Sequence, residues 1–481
     1  MLKNRKSKAM KNLLFIITIV ILSIDFNVLN AQVLPQPQIT TIEMAITEEM
    51  KAADIPGTVL AIIKNNQVVL ERSFGLANSQ TKIAMTDSSL FQIASVTKIF
   101  TALTILKELD DSEIGVHEPI GTVIKGLSPG LSSITFYQLL THTGGLIDYT
   151  NELDKTDVYE FFKNIGDTIL FIEPGKVFSY SNIGYALLGL AIEQLSGMSY
   201  PEAVNRAVLK PLKLKNTSFD LFEVASKSFS VGHNLGRGKL SPALSHYEVP
   251  LLQAAGGIFS NIQDMERLAL CLINNGVLDG VQVFDRTIIE QMFLPHAKDF
   301  MASAPSYFGF LNYPNNAYGY GTFMFDYGKL HFIGNAGSGT NMTYLLCDPE
   351  TKFSMIIMSN KAWDVLLDSF KKIFEVVLGE KEPTPVDFEI HRKEWKEITG
   401  KYILPTIDKN NVSSAVISEK DDKLYINLNN GGDVEFEQIG QLVYRYSNPF
   451  FRFPIEISFY RDESKKVAYM GNIWRTWVKI E

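Results

Sequence analysis

Apolar residues change period along this chain, and the changes mark its elements. In GTVLAIIKNNQVVLERSFGLAN (57–78) two β-rich runs flank Asn65-Asn66, which predicts a hairpin. From Ser95 the spacing turns helical, with Val96, Ile99, Phe100, Leu103 and Leu106 recurring at three and four. YALLGLAIEQL (185–195) is apolar nearly all round, so it predicts a buried helix, with Gly197 as its C-terminal cap. The chain to about residue 230 reads as mostly helical. From about 318 the β pattern returns in YGYGTFMFDYGKLHFIGN, TYLLCDPE and FSMIIMSN, followed by a last helix at roughly 363–378. An early hairpin and late strands can join one antiparallel sheet around a helical middle.

The two ends read differently. GEKEPTPVDF (379–388) is charged and proline-containing, and we place a linker at 379–384. Beyond it, KLYINLNNGGDVEFEQI alternates around a glycine-rich turn, and FPIEISFYRDESKKVAYMGNIWRTWVKI adds two or three strands. Residues 385–481 therefore predict a small all-β domain, barrel or sandwich. At the other end Lys3, Arg5, Lys6, Lys8 and Lys11 precede the apolar LLFIITIVILSI (13–24), with Ala31 before Gln32. This predicts a signal peptide over 1–31 and an exported chain, periplasmic or secreted. Contact with a membrane is expected only if that segment stays uncleaved. The main domain is then 32–378.

Composition narrows the function classes. The 481 residues are 46% hydrophobic and 20% charged, ordinary globular values for two or three domains. The net charge of −8 gives no support for a nucleic-acid surface. Cys271 and Cys347 sit in apolar runs and read as two buried thiols, although an exported chain could pair them. There is no C-x-x-C and no H-E-x-x-H, and the seven histidines are scattered. No metal site or cofactor is expected. G-x-S-x-G is also absent, which disfavours the α/β-hydrolase route to a nucleophilic serine.

Ser95 and Lys98 carry the strongest chemical signal. Three residues is nearly one helical turn, so the two side chains share a face. A serine hydroxyl needs a neighbouring base, and a lysine held neutral one turn away can be that base. Ser79 with Lys82 and Ser369 with Lys372 have the same spacing. Ser79 lies in the polar NSQTK, and Ser369 near the end of the late helix. Only Ser95 opens a buried helix, where its backbone N–H is free to serve an oxyanion.

Three further segments follow in order: LLTHTGGL (139–146), FSYSNIGYALLGLAIEQLSG (178–197) and AAGGIFSNIQDMERL (254–268). With S-V-T-K they resemble the class C β-lactamase-like serine hydrolases, which include esterases, D-amino-acid peptidases and penicillin-binding-protein relatives. PLKLKNTSF (211–219) and YLLCDPETKFSMIIMSNK (344–361) are similar too, and the tail resembles the lipocalin-like β domain found behind some of these hydrolases. The resemblance implies a serine β-lactamase/transpeptidase-like α/β (α+β) fold, with an antiparallel sheet, a helical subdomain and a small all-β C-terminal domain. It implies that Ser95 is acylated by a small-molecule or peptide substrate. Lys98 and Tyr180 would share the proton handling, with either as the base. Asn182 would position substrate and lysine, and the backbone N–H groups of Ser95 and Ser338 would bind the oxyanion. His142 is read as a structural hydrogen-bonder, and Gly319 and Gly321 as strand or turn glycines.

The third element of the family pattern, K-T-G or H-x-G, here reads Asn335-Ala336-Gly337. Asparagine can donate hydrogen bonds but carries no charge. Asn335 and Gly337 are still expected at the substrate. His331, roughly 13 Å away along a strand, is no obvious replacement for the missing cation. Gly144 stands where H-T-S-G-L has serine. The expectation is weak or absent β-lactamase activity and substrates without an anchoring carboxylate. The alternative is a catalytically weak or inactive peptide- or glycan-binding protein.

Overall fold

A computed structural model describes residues 33–148, 157–220, 223, 226, 228–236, 239–242, 250–297, 316–362, 366–382, 388–406, 412–447, 454–472 and 475–481. The expected signal peptide and part of the expected linker lie outside these residues.

The predicted hairpin forms from β1 (Gly57–Lys64) and β2 (Gln67–Asn78). Its turn residues Asn65 and Asn66 have φ of 51° and 64°, the pair of left-handed conformations a two-residue hairpin turn demands. With β3 (Ile83–Ala84), β4 (Ala317–Tyr318), β5 (Phe323–Tyr327), β6 (Leu330–Ser338), β7 (Met342–Asp348) and β8 (Phe353–Ser359) it builds one eight-stranded antiparallel sheet. The order is β4-β5-β6-β7-β8-β1-β2-β3, so the early hairpin meets the late strands through β1 and β8, with Val59 opposite Met358.

The unbroken apolar run of β1 follows from burial on both faces. Val59, Ala61 and Ile63 pack toward the helical layer, and Leu60 and Ile62 toward the other side. That other side is covered by α1 (Gln36–Ala52), through Ile39, Ile42 and Ile46, and by α5 (Leu367–Ile373), through Phe370 and Ile373. The helical layer holds α2 (Thr97–Asp111), α3 (Asn182–Ser196) and α4 (Ile262–Ile273). The Ser181 hydroxyl caps α3 by accepting from Gly184 N–H, and Gly197 ends it in the left-handed conformation at φ 66°. The late helix is shorter than expected in its α-helical part, because its last turn, Phe374–Leu378, widens to a π-helix.

The tail closes into a barrel of β9 (Gly400–Ile403), β10 (Ser414–Lys420), β11 (Lys423–Leu428), β12 (Asp433–Gly440), β13 (Val443–Tyr446), β14 (Ile455–Arg461), β15 (Val467–Asn472) and β16 (Arg475–Lys479). Pairing of Tyr402 with Lys479 joins the first strand to the last, so no strand edge is left open. The barrel core is packed with Tyr402, Tyr444, Tyr446, Phe436, Phe459 and Trp477, and α6 (Arg392–Ile398) adds Trp395 and Ile398 to it. The sequence pattern did not reveal α6. The antiparallel sheet, the helical layer and the all-β tail agree with the expected fold class.

Candidate active site

The site forms where the start of α2 and the start of α3 meet strand β6. A tight turn, Ala94–Val96, delivers Ser95 to α2. Ala94 holds φ 45°, a left-handed conformation that costs a residue with a Cβ on the order of 1–2 kcal/mol. The surrounding packing fixes that turn, since Ala94 and Val96 are buried. Close passage of β6 requires Gly337, because a Cβ there would lie 2.0 Å from Ile93 O and 2.9 Å from the Ser95 nitrogen. Gly321 is a turn glycine at φ 75° whose Cβ would press on the Lys98 carbonyl.

Lys98 is fully buried beneath Ser95. Its Nζ lies 3.2 Å from Ser95 Oγ, 2.8 Å from Asn182 Oδ1 and 2.8 Å from Ala255 O. The carbonyl can only accept. Asn182 Oδ1 is fixed as an acceptor too, because Asn182 Nδ2 donates to Asp148 Oδ2 at 3.1 Å. A neutral lysine has two N–H donors remaining once its lone pair is counted, and those two acceptors take both. The lone pair then faces Ser95 Oγ. Burial pulls the Lys98 ammonium from the usual 10.5 down to about 7, and the Asp148 charge partly opposes this.

Tyr180 donates from its hydroxyl to Ser95 Oγ at 2.8 Å. Its ring centroid stands 4.7 Å from Lys98 Nζ, and that of Tyr185 stands 5.3 Å away. His142 supports this wall. Its Nδ1 accepts from Ser181 N–H at 3.1 Å, so the proton is on Nε2, which donates to Tyr318 OH at 3.1 Å. Burial, together with the Lys98 charge, holds His142 well below the usual imidazole range. It is a neutral structural group packed 4.2 Å from the Tyr180 ring.

Lys98 and Tyr180 thus converge on the Ser95 oxygen, and Asn182 reaches it through Lys98. Gly337 lies against the Ser95 nitrogen, which brings the half-buried Ser338 into the same neighbourhood. Asn335 sits deeper, fully buried two residues earlier on β6. Its Nδ2 donates to Gly321 O at 2.7 Å, and its Oδ1 has no hydrogen-bond partner among the described residues. The other Ser/Lys spacings diverge: Ser79 Oγ meets His233 Nε2 at 2.7 Å, Ser369 donates to Glu49 at 2.6 Å, and Lys372 pairs with Glu375. Cys271 and Cys347 are buried free thiols, each pushed up to about 12 by burial. Among the described residues no group of three or more His, Cys, Asp or Glu could hold a metal ion.

Two neighbours of the site escaped the sequence reading. Asp148 is buried, accepts from Asn182 N at 2.9 Å and from Asn182 Nδ2, and forms an ion pair with Arg475 of β16. A carboxylate two residues after the THTGGL run, in GLIDY, was the available signal for the first. Arg475 had none, being one charged residue in a strand 327 positions away.

The scaffold and this constellation define a β-lactamase-like protein related to penicillin-binding proteins. The chain belongs to the Beta-lactamase family, whose model matches residues 42–366. Protein flp of Staphylococcus aureus (strain NCTC 8325 / PS 47) is 26% identical over 338 residues, covering 68% of this chain and 63% of that protein. This chain therefore matches under two thirds of that relative's length. Penicillin-binding protein 4 of Amycolatopsis lactamdurans is 25% identical over 358 residues, covering 69% of this chain and 91% of that protein. Among solved structures, SurE matches with a TM-score of 0.70 at 20% identity, over 92% of this chain and 99% of that one. The octameric penicillin-binding protein homologue from Pyrococcus abyssi matches with 0.64 at 22%, over 92% of this chain and 100% of that one. These two share the fold.

Proposed function

We propose that this protein is an exported serine hydrolase that cleaves an ester or amide through an acyl-enzyme on Ser95. One observation carries the reading: a buried lysine and a tyrosine hydroxyl both meet the Ser95 oxygen, at 3.2 and 2.8 Å. The lowered Lys98 favours it as the base, since a group poised near neutrality is half unprotonated at pH 7. Lys98 takes the hydroxyl proton as Oγ bonds to the acyl carbon. The bond to the leaving group breaks, Tyr180 gives that group its proton, and Lys98 returns one to the phenolate. Water then attacks the acyl-enzyme by the same route in reverse. The backbone N–H groups of Ser95 and Ser338 receive the carbonyl oxygen as it turns negative.

The substrate class follows from the third element. Asn335 is uncharged and its Nδ2 is already engaged with Gly321, so the site has no cation at that position for a substrate carboxylate. Esters and D-amino-acid amides fit better than penicillins. A structure of SurE with D-Leu lends some support to the D-amino-acid branch. The second reading, a non-catalytic peptide- or glycan-binding protein, rests on the same asparagine.

Intact-mass analysis of residues 32–481 after a fluorophosphonate probe, beside Ser95→Ala, separates the two. A single adduct on wild type only is the expected result. No adduct on folded protein refutes the hydrolase, and rapid penicillin turnover refutes the substrate class.

A further inference from the structure

Among the described residues, Arg475 and Thr476 at the start of β16 join the C-terminal barrel to the active site. Thr476 Oγ1 donates to Phe178 O at 2.6 Å, and Thr476 N–H donates to Ser179 Oγ at 3.3 Å. These contacts hold the segment that ends in Tyr180. The neighbouring Arg475 pairs with Asp148, whose side chain is only 1% exposed. From there the chain of contacts is continuous: Asp148 accepts twice from Asn182, Asn182 Oδ1 accepts from Lys98, and Lys98 reaches Ser95.

We propose that Arg475 is a positioning residue for the hydrolase, supplied by the barrel, which holds Asp148 so that Asn182 presents its oxygen, and not its amide, to Lys98. The inference rests on the assignment of Lys98 as base. A buried carboxylate without a counterion is costly, and Arg475 is its cation. Arginine suits this place because it stays charged and presents several donors in a fixed plane. The arrangement makes the two parts of the chain one catalytic unit, with the barrel contributing geometry and charge but no group that touches the reacting atoms.

Charge balance makes the proposal testable apart from folding. The titratable and charged groups around Lys98 are Asp148, Tyr180, Tyr185 and His142, with Arg475 one step beyond. The Asp148 charge favours the protonated lysine. Loss of Arg475 leaves that charge unneutralised beside the lysine. Lys98 then holds its proton to higher pH, and the neutral base is scarcer in acid.

The rate of fluorophosphonate labelling of full-length protein between pH 5 and 9 is the measurement. Arg475→Gln is expected to move the acid limb up by on the order of 1 pH unit, a loss of about tenfold at pH 6. Arg475→Lys keeps the cation and is expected to restore most of the wild-type limb. Asp148→Asn removes the anion and is expected to move the limb down. An Arg475→Gln profile superimposable on wild type overturns the proposal, as does an equal loss at every pH that Arg475→Lys does not rescue. Failure of wild type itself to label refutes the Ser95/Lys98 reading instead, so the two failures are distinguishable.

Discussion

Replacement of Lys98 by methionine separates the proposed catalytic role of the lysine from its cost to the fold. Burial lowers Lys98 from 10.5 to about 7. Below pH 7 both folded and unfolded chains hold the proton. Between 7 and 10.5 only the unfolded chain does, so wild-type stability rises with pH across that window. The limiting slope is about 1.4 kcal/mol per pH unit. Integrated from pH 7.5 to 9.5 with both pKa values, wild type should gain about 2.5 kcal/mol relative to Lys98→Met. The variant also orphans Asn182 Oδ1 and Ala255 O, but that offset is independent of pH and drops out of the comparison. Urea denaturation of both proteins at four pH values, followed by a signal from the hydrolase part, reads the difference. A stability gap that stays flat to within about 0.5 kcal/mol over this range would refute the lowered lysine, and with it the argument for Lys98 as base. The variant should also be unlabelled by the fluorophosphonate at every pH.

Two further outcomes test the rest of the site. Tyr180→Phe removes the hydroxyl at 2.8 Å from Ser95 Oγ and should lower kcat for an ester by on the order of 10²–10⁴-fold with little change in KM; an unchanged kcat would take Tyr180 out of the proton path. Gly337→Ala places a Cβ 2.0 Å from Ile93 O and should cost at least about 100-fold in labelling rate while the protein stays folded, because β6 and the Ser95 turn must separate; normal labelling would show that the two do not meet as described.

What the sequence made legible follows physical scale. The hairpin at Asn65-Asn66, the Ser95 helix and the capped helix ending at Gly197 are local signals, set by period and by turn chemistry within about ten residues. The constellation of Ser95, Lys98, Tyr180 and Asn182 was legible because its residues recur in short motifs of fixed order. The lysine's electrostatic state was not, since it depends on burial and on two acceptors, Asn182 Oδ1 and Ala255 O, supplied by distant segments. Arg475 was invisible for the same reason: only the fold brings it to Asp148. The hydrogen bond from Asn335 Nδ2 to Gly321 O was equally invisible, since the two residues meet only in the fold.

The pairing of β1 with β8 sets a clock on biogenesis. Val59 must wait for Met358, about 300 residues later, before the central ladder of the sheet can zip. At about 5–20 residues per second of synthesis the β1 edge spends some 15–60 s without its partner strand. Such a nascent chain cannot finish its sheet on the ribosome until most of it has emerged. For a protein proposed to cross a membrane that delay is an advantage: the polypeptide stays threadable, in need of a holdase, and snaps shut only once its last sheet strand arrives on the far side.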